Sequence, residues 1–346
     1  MRAAVLRAPG DLAVLDVDEP TAGDHDIIIH VGAAGICGSD LASYATGAYV
    51  RPGQIMGHEF AGTIVDAGAA AAGLAAGQRV TVRPLGACGT CDACRRGLVH
   101  ICDRAVRDAI GYGHPGAFAE YVRVPRAVLG DNVFRLESHV GDAAGATVEP
   151  FAVALHACRR LALAPGDSCV VLGLGPIGHA AVQCLKALGI DRVVGVDAAA
   201  FRRERALAAG AAAAAGSEDL HEVVGQVVGP GPRGRGAGAD AVLDSSGSLG
   251  LLREAPAMLR SGGRLASVAL YKAELAIDLN EIVTRELDLV GCYGYGAEFG
   301  EALTMVEKHE LRPELMVTST YPLDRIADAF AAQADIHHHI KVQVRP

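Results

Sequence analysis

Three glycines in the segment of residues 168–197 constrain the fold of this chain more than any other sequence feature. They are Gly173, Gly175 and Gly178, at the spacing G-x-G-x-x-G. The apolar run of residues 169–172 precedes them and is typical of a strand buried on both faces. Apolar residues at helical spacing follow as far as Gly189, which can end a helix, and a second apolar run ends on Asp197. This order of strand, glycine turn, helix and strand predicts a parallel α/β unit.

The glycine spacing suits a dinucleotide phosphate site. A tight turn and a close approach of backbone to pyrophosphate both need residues without a Cβ, and the helix N-terminus offers free N–H groups to the anion. Asp197, nineteen residues after Gly178, can accept hydrogen bonds from both hydroxyls of an adenosine ribose. Arg202 and Arg203 could pair with a 2′-phosphate, but the Asp197 carboxylate should repel it. We predict a Rossmann unit that binds NAD; chance or structural glycines are the alternative in a chain with 43 of them.

Four cysteines form a second motif. They are Cys88, Cys91, Cys94 and Cys102, at the spacing C-x2-C-x2-C-x7-C. Four thiolates at this spacing can close a tetrahedral structural zinc site with no open coordination position. The alternatives are an iron–sulfur cluster, which lacks the usual proline after the last cysteine, and two disulfides, which need an oxidising compartment. We predict a zinc lobe at residues 86–103, in which the metal stabilises a segment with few apolar side chains.

A third motif lies within residues 1–85, where short alternating strands separated by Gly, Pro and Asp indicate an all-β texture. GICGSD contains Cys37, and GHEFAG contains His58 twenty-one residues later. Cysteine and histidine are ligands suited to Zn²⁺, and two of them on loops flanked by glycine can approach one ion. A buried free cysteine and a core histidine are the alternative for this pair taken alone.

Length, charge and hydropathy limit the function classes. A chain of 346 residues exceeds what one core usually supports, so two domains are expected. The net charge of −9 argues against nucleic acid or an anionic membrane as the main partner. The alanine-rich runs are too short to cross a membrane, and the N-terminal segment lacks the apolar core of a signal peptide. We expect a soluble cytoplasmic protein whose nine cysteines serve metal or thiol chemistry before disulfides.

Strands and helices continue to alternate after the glycine-rich unit. Strands are predicted at residues 239–244, 264–270 and 287–293, and helices at residues 201–210 and 249–259. Alternation of this kind builds a parallel, doubly wound sheet. The stretch of residues 229–238, rich in Gly, Pro and Arg, is predicted to be a mobile surface loop without chemistry.

Taken together, the motifs resemble those of the zinc-dependent medium-chain dehydrogenase family, in particular its polyol (sorbitol-type), threonine and butanediol branch. The resemblance is carried by GICGSD, GHEFAG, the four-cysteine lobe, GAFAEYVRVP, VEPFAVALHA and GLGPIG, and it covers essentially the whole chain. It implies an α/β fold, with a GroES-like β-rich catalytic domain at residues 1–150 and 290–346 and a Rossmann domain at residues 151–289. It also implies a homodimer or homotetramer in which the strand around residues 287–290 pairs across a two-fold axis.

The resemblance further implies a catalytic zinc site. Cys37 and His58 would be ligands, and the third protein ligand would be Glu59 or Glu149, which the sequence does not separate. Ser39 would receive the proton of the substrate hydroxyl. The pocket walls that the resemblance implies are Tyr44, Phe118, Tyr293 and Tyr295. The cofactor contacts that it implies besides the three glycines and Asp197 are Pro176, Ile177, Arg202, Ser246, Val268 and Leu270.

The proton relay of alcohol-oxidising relatives cannot be complete in this chain. Those relatives carry a histidine five residues after the ligand cysteine, where this chain has Ala42. We therefore expect the proton to leave Ser39 through water, with Glu149 or Glu59 as the alternative acceptor.

The expected reaction is reversible, NAD-linked oxidation of a secondary alcohol to a ketone, on a polyol, sugar-derived or cyclitol-like molecule. Two Zn²⁺ ions per chain are expected, one catalytic and one structural, and the catalytic ion would lower the pKa of the substrate hydroxyl before hydride passes to nicotinamide. A 2,3-butanediol or threonine 3-dehydrogenase is the alternative within enzymes. A zinc-free reductase or a non-catalytic relative is a remote alternative, because such proteins would lack the cysteine motifs.

Overall fold

The computed structural model describes residues 1–231 and 238–346, so most of the predicted surface loop at residues 229–238 lies outside the described residues. The described strands are β1 (Arg2–Ala8), β2 (Asp11–Asp16), β3 (Ile27–Gly35), β4 (Gln54–Ile55), β5 (Glu59–Ala67), β6 (Arg79–Val82), β7 (Tyr121–Val124), β8 (Val133–Arg135), β9 (Ser168–Leu172), β10 (Arg192–Val196), β11 (Ala213–Ala215), β12 (Ala239–Asp244), β13 (Leu259–Ser267), β14 (Asp288–Gly291), β15 (Val317–Pro322) and β16 (Lys341–Arg345). The described α-helices are α1 (Gly38–Thr46), α2 (Asp92–Arg95), α3 (Asp142–Ala146), α4 (Val148–Leu161), α5 (Pro176–Ala187), α6 (Ala200–Ala208), α7 (Leu220–Val228), α8 (Leu249–Met258), α9 (Leu279–Arg285), α10 (Glu298–Glu307) and α11 (Ile326–Ala334).

Six parallel strands form one sheet, in the order β11-β10-β9-β12-β13-β14. The strand β9 is buried along its whole length, as its apolar run predicts. Helices α4 and α5 bury their apolar faces on one side of the sheet, and α7 and α8 bury theirs on the other, so that two separate apolar clusters flank the strands. The prediction of a doubly wound parallel sheet is confirmed.

Two strands of this sheet differ in their limits from the sequence prediction. The strand expected at residues 264–270 begins earlier, because Leu259 pairs with Ala239 across an irregularity in the register, and it ends at Ser267. The strand expected at residues 287–293 is the shorter β14, since pairing with β13 ends at Gly291.

A second, mainly antiparallel sheet has the order β15-β16-β3-β5-β6-β8, with β7 also paired to β3. A small sheet of order β2-β1-β4 lies beside it. The strands β15 and β16 come from the far end of the chain, yet they join β3 near its beginning, so the parallel sheet interrupts a β-rich unit. The β-rich and parallel-sheet architecture is confirmed, whereas the domain limits at residues 150 and 290 stay a prediction.

The register of the mixed sheet brings three chain segments together. Gly35 at the end of β3 pairs with Glu59 at the start of β5 on one side and with Gln343 of β16 on the other. Residues just beyond these pairs therefore meet at one edge of the sheet, although Cys37 and Lys341 are about 300 residues apart in the chain.

In the described part of the chain, no helix combines the length and the apolar composition that crossing a bilayer requires.

Candidate active site

Cys37, His58 and Glu59 meet at this edge of the mixed sheet. One ligand atom from each lies within 4.8 Å of the others, and the two residues from β5 and its preceding loop are buried. Cys37 occupies the N-cap position of α1, and Ile36 alone separates it from β3. The start of α1 thus supplies the thiol of Cys37. The start of β5 supplies the carboxylate of Glu59, and the residue before that strand supplies the imidazole of His58.

Asp40 holds this arrangement and was not among the predicted site residues. Its Oδ2 accepts a hydrogen bond of 2.9 Å from the Cys37 backbone N–H, and its Oδ1 lies 3.7 Å from His58 Nδ1. At 3.7 Å this is a charge contact and not a hydrogen bond, and within the described residues His58 Nδ1 has no hydrogen-bond partner. The signal for Asp40 was present in the sequence, because an acidic residue three positions after a helix N-cap commonly bonds back to it.

Glu59 forms a buried ion pair with Lys341, a residue that no sequence motif marks. The Lys341 ammonium donates to both Glu59 oxygens, at 2.7 and 2.6 Å, and to the carbonyl oxygen of Ile36 at 2.9 Å. Both side chains are 1% exposed. Burial disfavours the charged amine, but the negative charges of Glu59 and its neighbours hold the pKa of Lys341 above its usual value.

Glu149 is a second buried carboxyl group near this cluster. It lies in the first turn of α4 and is not one of the three converging residues. Burial, with the charge of Glu59 in addition, raises the pKa of Glu149 to about 7. Tyr295 is fully buried beside it, and among the described residues its hydroxyl has no hydrogen-bond partner. Tyr293 is 44% exposed. Partial burial raises its pKa, and the nearby charge of Glu149 raises that pKa further.

Ser39 lies in the first turn of α1 and contacts a residue that the sequence analysis did not select. Its Oγ is 2.8 Å from the hydroxyl oxygen of Tyr112. The Tyr112 ring packs against the His58 ring at a centroid distance of 5.0 Å. No sequence signal marked Tyr112, because it belongs to a glycine-rich loop without a known metal or catalytic motif.

The three converging residues fit a zinc ion. Open catalytic zinc sites take three protein ligands from thiolate, imidazole and carboxylate donors. Zinc–ligand distances of about 2.0–2.3 Å place tetrahedral ligands roughly 3.3–3.8 Å apart. The ligand atoms of Cys37, His58 and Glu59 already lie within 4.8 Å of one another, so only small side-chain adjustments separate them from that geometry.

The four cysteines of the zinc lobe also converge. Their Sγ atoms lie within 4.8 Å of one another. The Cys88 sulfur accepts N–H bonds from Thr90 at 3.4 Å and Cys91 at 3.3 Å, and these bonds lower the pKa of Cys88 to about 5. Cys91 accepts from the Cys94 N–H at 3.4 Å in the same way. Backbone N–H groups aimed at sulfur favour thiolates, the form in which cysteine binds zinc.

The glycine turn has the geometry that a dinucleotide needs. Gly173 has a φ of +83°, and a Cβ there would come within 2.7 Å of the Ser246 Cα. The space beside Gly175 is open, with the nearest atom to a Cβ, Arg202 Nη1, at 3.7 Å. The helix α5 begins directly after it, with Pro176 in its first turn and Ile177 packed against the core. The free N–H groups of this helix N-terminus face the turn.

Asp197 follows β10 at the same edge of the parallel sheet. Its two carboxylate oxygens accept N–H bonds of 2.8 Å from Leu174 and Ala199, which fixes the carboxylate beside the glycine turn. Arg202 Nη1 lies 3.9 Å from Asp197 Oδ2, and Arg202 Nε donates to the carbonyl oxygen of His339 at 3.2 Å. Arg202 therefore connects the parallel-sheet unit to the β-rich unit.

The remaining predicted cofactor residues lie along the carboxyl ends of β12 and β13. Ser246 Oγ donates to Asp244 Oδ1 at 2.6 Å, and the Val268 N–H donates to the Asp244 carbonyl oxygen at 3.0 Å. Leu270 is 66% exposed. Ligands of open parallel sheets bind at this edge, so the placement agrees with a cofactor crevice.

Two predicted pocket residues pack on the core of the β-rich unit. Phe118 is fully buried and packs against Phe330 in the core of the β-rich unit. The Tyr44 ring packs against the same Phe330, and its hydroxyl donates to the Gly10 carbonyl oxygen at 3.0 Å. Both rings contact the apolar core under the sheet. Phe118 also lies beside Gly57, where a Cβ would come within 2.9 Å of its ring, so the role of these two residues as pocket walls stays a prediction.

Comparisons with known proteins agree with this arrangement. Residues 23–134 match the family model described as alcohol dehydrogenase GroES-like domain, and residues 176–308 match the one described as zinc-binding dehydrogenase. The chain is 29% identical to a sorbitol dehydrogenase of Bacillus subtilis, over 100% of this chain and 97% of that protein. It is 30% identical to an L-galactonate-5-dehydrogenase of Escherichia coli, over 95% of this chain and 94% of that protein.

Solved structures show the same similarity. The structure of a zinc-binding dehydrogenase from Sinorhizobium meliloti with NADP bound superposes with a TM-score of 0.91. Its sequence is 29% identical, and the alignment covers 100% of this chain and 99% of that one.

The buried ion pair predicts a large stability effect. Lys341→Met leaves the Glu59 carboxylate buried without its partner, and we expect the free energy of unfolding to fall by about 3–5 kcal/mol. Denaturant unfolding followed by circular dichroism measures this. Lys186→Met is the matched control, because it breaks the exposed pair with Asp191 and should cost less than about 1 kcal/mol. Adding Glu59→Gln to Lys341→Met should restore part of the loss; equal stability of Lys341→Met and Lys186→Met would contradict the interpretation.

Proposed function

The chain belongs to the zinc-binding alcohol dehydrogenase family, and we propose that it oxidises a secondary alcohol of a polyol-like molecule to a ketone with NAD as the hydride acceptor. The convergence of Cys37, His58 and Glu59 carries this proposal. Two features support a location of that cluster next to the cofactor crevice. Glu149 opens α4, which packs on the parallel sheet, and Tyr293 follows β14 of that sheet.

The chain's own residues would prepare the substrate. A zinc ion held by Cys37, His58 and Glu59 would supply Lewis-acid activation of the substrate hydroxyl, and NAD would accept hydride. The Asp40 carboxylate accepts the Cys37 N–H and lies 3.7 Å from His58 Nδ1, and Lys341 donates to both oxygens of Glu59. Since Glu59 shares the cluster and Glu149 does not, we assign Glu59 as the third ligand.

Ser39 and Glu149 are the groups available for the proton. The Ser39 hydroxyl is two residues from the proposed ligand Cys37, and it can accept the proton of the substrate hydroxyl while it passes its own proton to water. Glu149 has a pKa of about 7, so near neutral pH it exchanges a proton readily and can also accept a hydrogen bond from a substrate hydroxyl. A buried carboxyl group beside Tyr295 favours a substrate that carries more than one hydroxyl, as a polyol does.

The experiment that tests the function follows NADH formation by absorbance with a panel of polyols, inositols, aminocyclitols, sugar acids, 2,3-butanediol and threonine. We expect turnover with a polyol or sugar-derived alcohol, and bound zinc near two per chain by elemental analysis. Cys37→Ser should lose one zinc and nearly all turnover while keeping the fold, because its site lies on a scaffold stabilised elsewhere. Cys91→Ser should lose the other zinc and lower the melting temperature, because that metal contributes folding free energy.

The results separate the alternatives. Turnover with threonine or 2,3-butanediol alone would support the alternative function, a threonine 3-dehydrogenase or a butanediol dehydrogenase. No turnover on the panel, or full activity of Cys37→Ser after treatment with a chelator, would overturn the proposed function.

We propose NAD rather than NADP as the cofactor, although the S. meliloti relative binds NADP. The support is Asp197, whose carboxylate lies beside the glycine turn where a 2′-phosphate would have to fit. Arg202 is close to Asp197, but its guanidinium also bonds to His339, so it is partly engaged elsewhere.

Asp197→Asn should weaken this preference. The amide removes the charge that repels a 2′-phosphate, and we expect the ratio of kcat/KM for NAD to that for NADP to fall about tenfold or more. Asp219→Asn is the matched control, because Asp219 also accepts a backbone N–H, from Gly216, but lies at the start of α7. Equal or better kcat/KM of the wild type with NADP would contradict the assignment.

We further propose that two chains pair through β14, the edge strand of the parallel sheet. Exposed apolar side chains surround this edge: Leu289 is 45%, Leu279 68% and Val283 73% exposed. They border an apolar groove of about 430 Å³ between α8, α9 and β14. An open strand edge with an apolar surround is a site where a second copy can extend the sheet.

Leu289→Asp should shift the assembly toward the monomer mass of 35.5 kDa in light scattering, because it places a charge in the pairing surface. Leu207→Asp is the matched control, since Leu207 is similarly exposed but lies on α6. A wild type that runs as a monomer would contradict the proposed interface.

The nine cysteines, all free in the structure, support a reducing, cytoplasmic location.

A further inference from the structure

The hydroxyl groups of Ser39 and Tyr112 form a hydrogen bond of 2.8 Å next to the candidate metal ligands. Ser39 is the residue expected to receive the proton of the substrate hydroxyl. With Ala42 in place of a histidine, the sequence predicted water as its next partner. The structure gives Ser39 a protein hydroxyl as one hydrogen-bond partner.

Tyr112 is held firmly because its loop packs backbone against backbone on the segment that carries His58. Gly111 has a φ of +84°, and a Cβ there would lie 2.7 Å from the Gly57 carbonyl oxygen. The Gly57 carbonyl also accepts the Ala117 N–H at 2.9 Å. This close approach positions the loop relative to His58, and the packing of the Tyr112 ring against the His58 ring brings its hydroxyl beside Ser39.

A serine hydroxyl has one donor and two acceptor positions and otherwise rotates freely about its Cβ–Oγ bond. A partner on one position removes that freedom, and the remaining positions then point in fixed directions. A proton acceptor works well only when its lone pair is aligned with the proton before transfer begins.

We propose that Tyr112 is a positioning residue that donates a hydrogen bond to the Ser39 hydroxyl, so that a free lone pair of Ser39 faces the hydroxyl of the bound alcohol. When Ser39 takes the alcohol proton, it releases its own proton to water. The inference rests on the proposed function, since it assumes an alcohol bound beside Cys37 and His58. Tyr112 acts through Ser39 and not through zinc binding, because its hydroxyl bonds to Ser39 and only its ring touches His58.

The first test is kinetic. Tyr112→Phe keeps the ring on His58 and removes only the hydroxyl, and we expect kcat to fall roughly five- to tenfold, the size of one neutral hydrogen bond. The KM values for NAD and alcohol and the zinc content should stay unchanged. The solvent deuterium isotope effect on kcat should increase, because proton transfer then limits the rate more. Tyr121→Phe is the matched control, as this tyrosine lies on β7 with its ring against His30.

A double-mutant cycle shows whether Tyr112 works through Ser39. In a Ser39→Ala background, Tyr112→Phe should have no further effect on kcat, because the group that it positions is gone. Additive losses in the double variant, or a Tyr112→Phe variant with wild-type kcat and isotope effect, would overturn the inference while leaving the dehydrogenase function standing.

The second test does not depend on turnover. In protein labelled with ¹³C at tyrosine Cζ, eight resonances are expected, and the one missing in Tyr112→Phe belongs to Tyr112. Ser39→Ala should shift that resonance, since the shift of Cζ responds to hydrogen bonding of the hydroxyl. An unmoved resonance would contradict the hydrogen bond. Failure of the substrate panel with a shifted resonance would overturn the proposed function and, with it, the role of the hydrogen bond in proton transfer.

Discussion

The candidate metal site depends on the compensation of negative charge in a buried place. Cys37, Glu59 and Glu149 approach one another where little water remains to screen them, and like charges repel strongly in such surroundings. Lys341 compensates Glu59 through contacts with both oxygens. Glu149 responds differently, since its pKa of about 7 allows it to hold a proton when its neighbours are charged. A divalent cation between Cys37, His58 and Glu59 would complete the balance.

The two cysteine-containing sites compensate the negative charge of their ligands in different ways. In the zinc lobe, the ligands are close in sequence, and backbone N–H groups of the same short segment stabilise the sulfur charge. In the candidate active site, the ligands come from different strands, and side chains from other parts of the chain supply the compensation. The local site is therefore suited to stability, whereas the assembled site can keep one coordination position open for a substrate.

Sequence patterns predicted the features that arise from short stretches of chain. The glycine turn, the strand before it and the helix after it follow from local spacing, and so does the convergence of the four cysteines. Lys341 could not be found in this way, because its partner Glu59 is 282 residues away and only the sheet register brings them together. The packing of Tyr44 and Phe118 against Phe330 could not be predicted for a related reason: the residue type does not tell which side of a helix or loop faces the core. Tyr112 reaches Ser39 only because glycines let two backbones touch.

The pairing of β16 with β3 also has a consequence for the order of folding. The whole parallel sheet is synthesised after β3 and before β16, so the mixed sheet stays incomplete until that inserted unit has left the ribosome. Until then, Glu59 has no ammonium partner. Contacts across so long a separation form late because closing a large loop costs chain entropy. The inserted unit, whose neighbouring strands are closer in sequence, is therefore expected to fold first. The mixed sheet is completed afterwards, when β15 and β16 pair with the strands from the beginning of the chain.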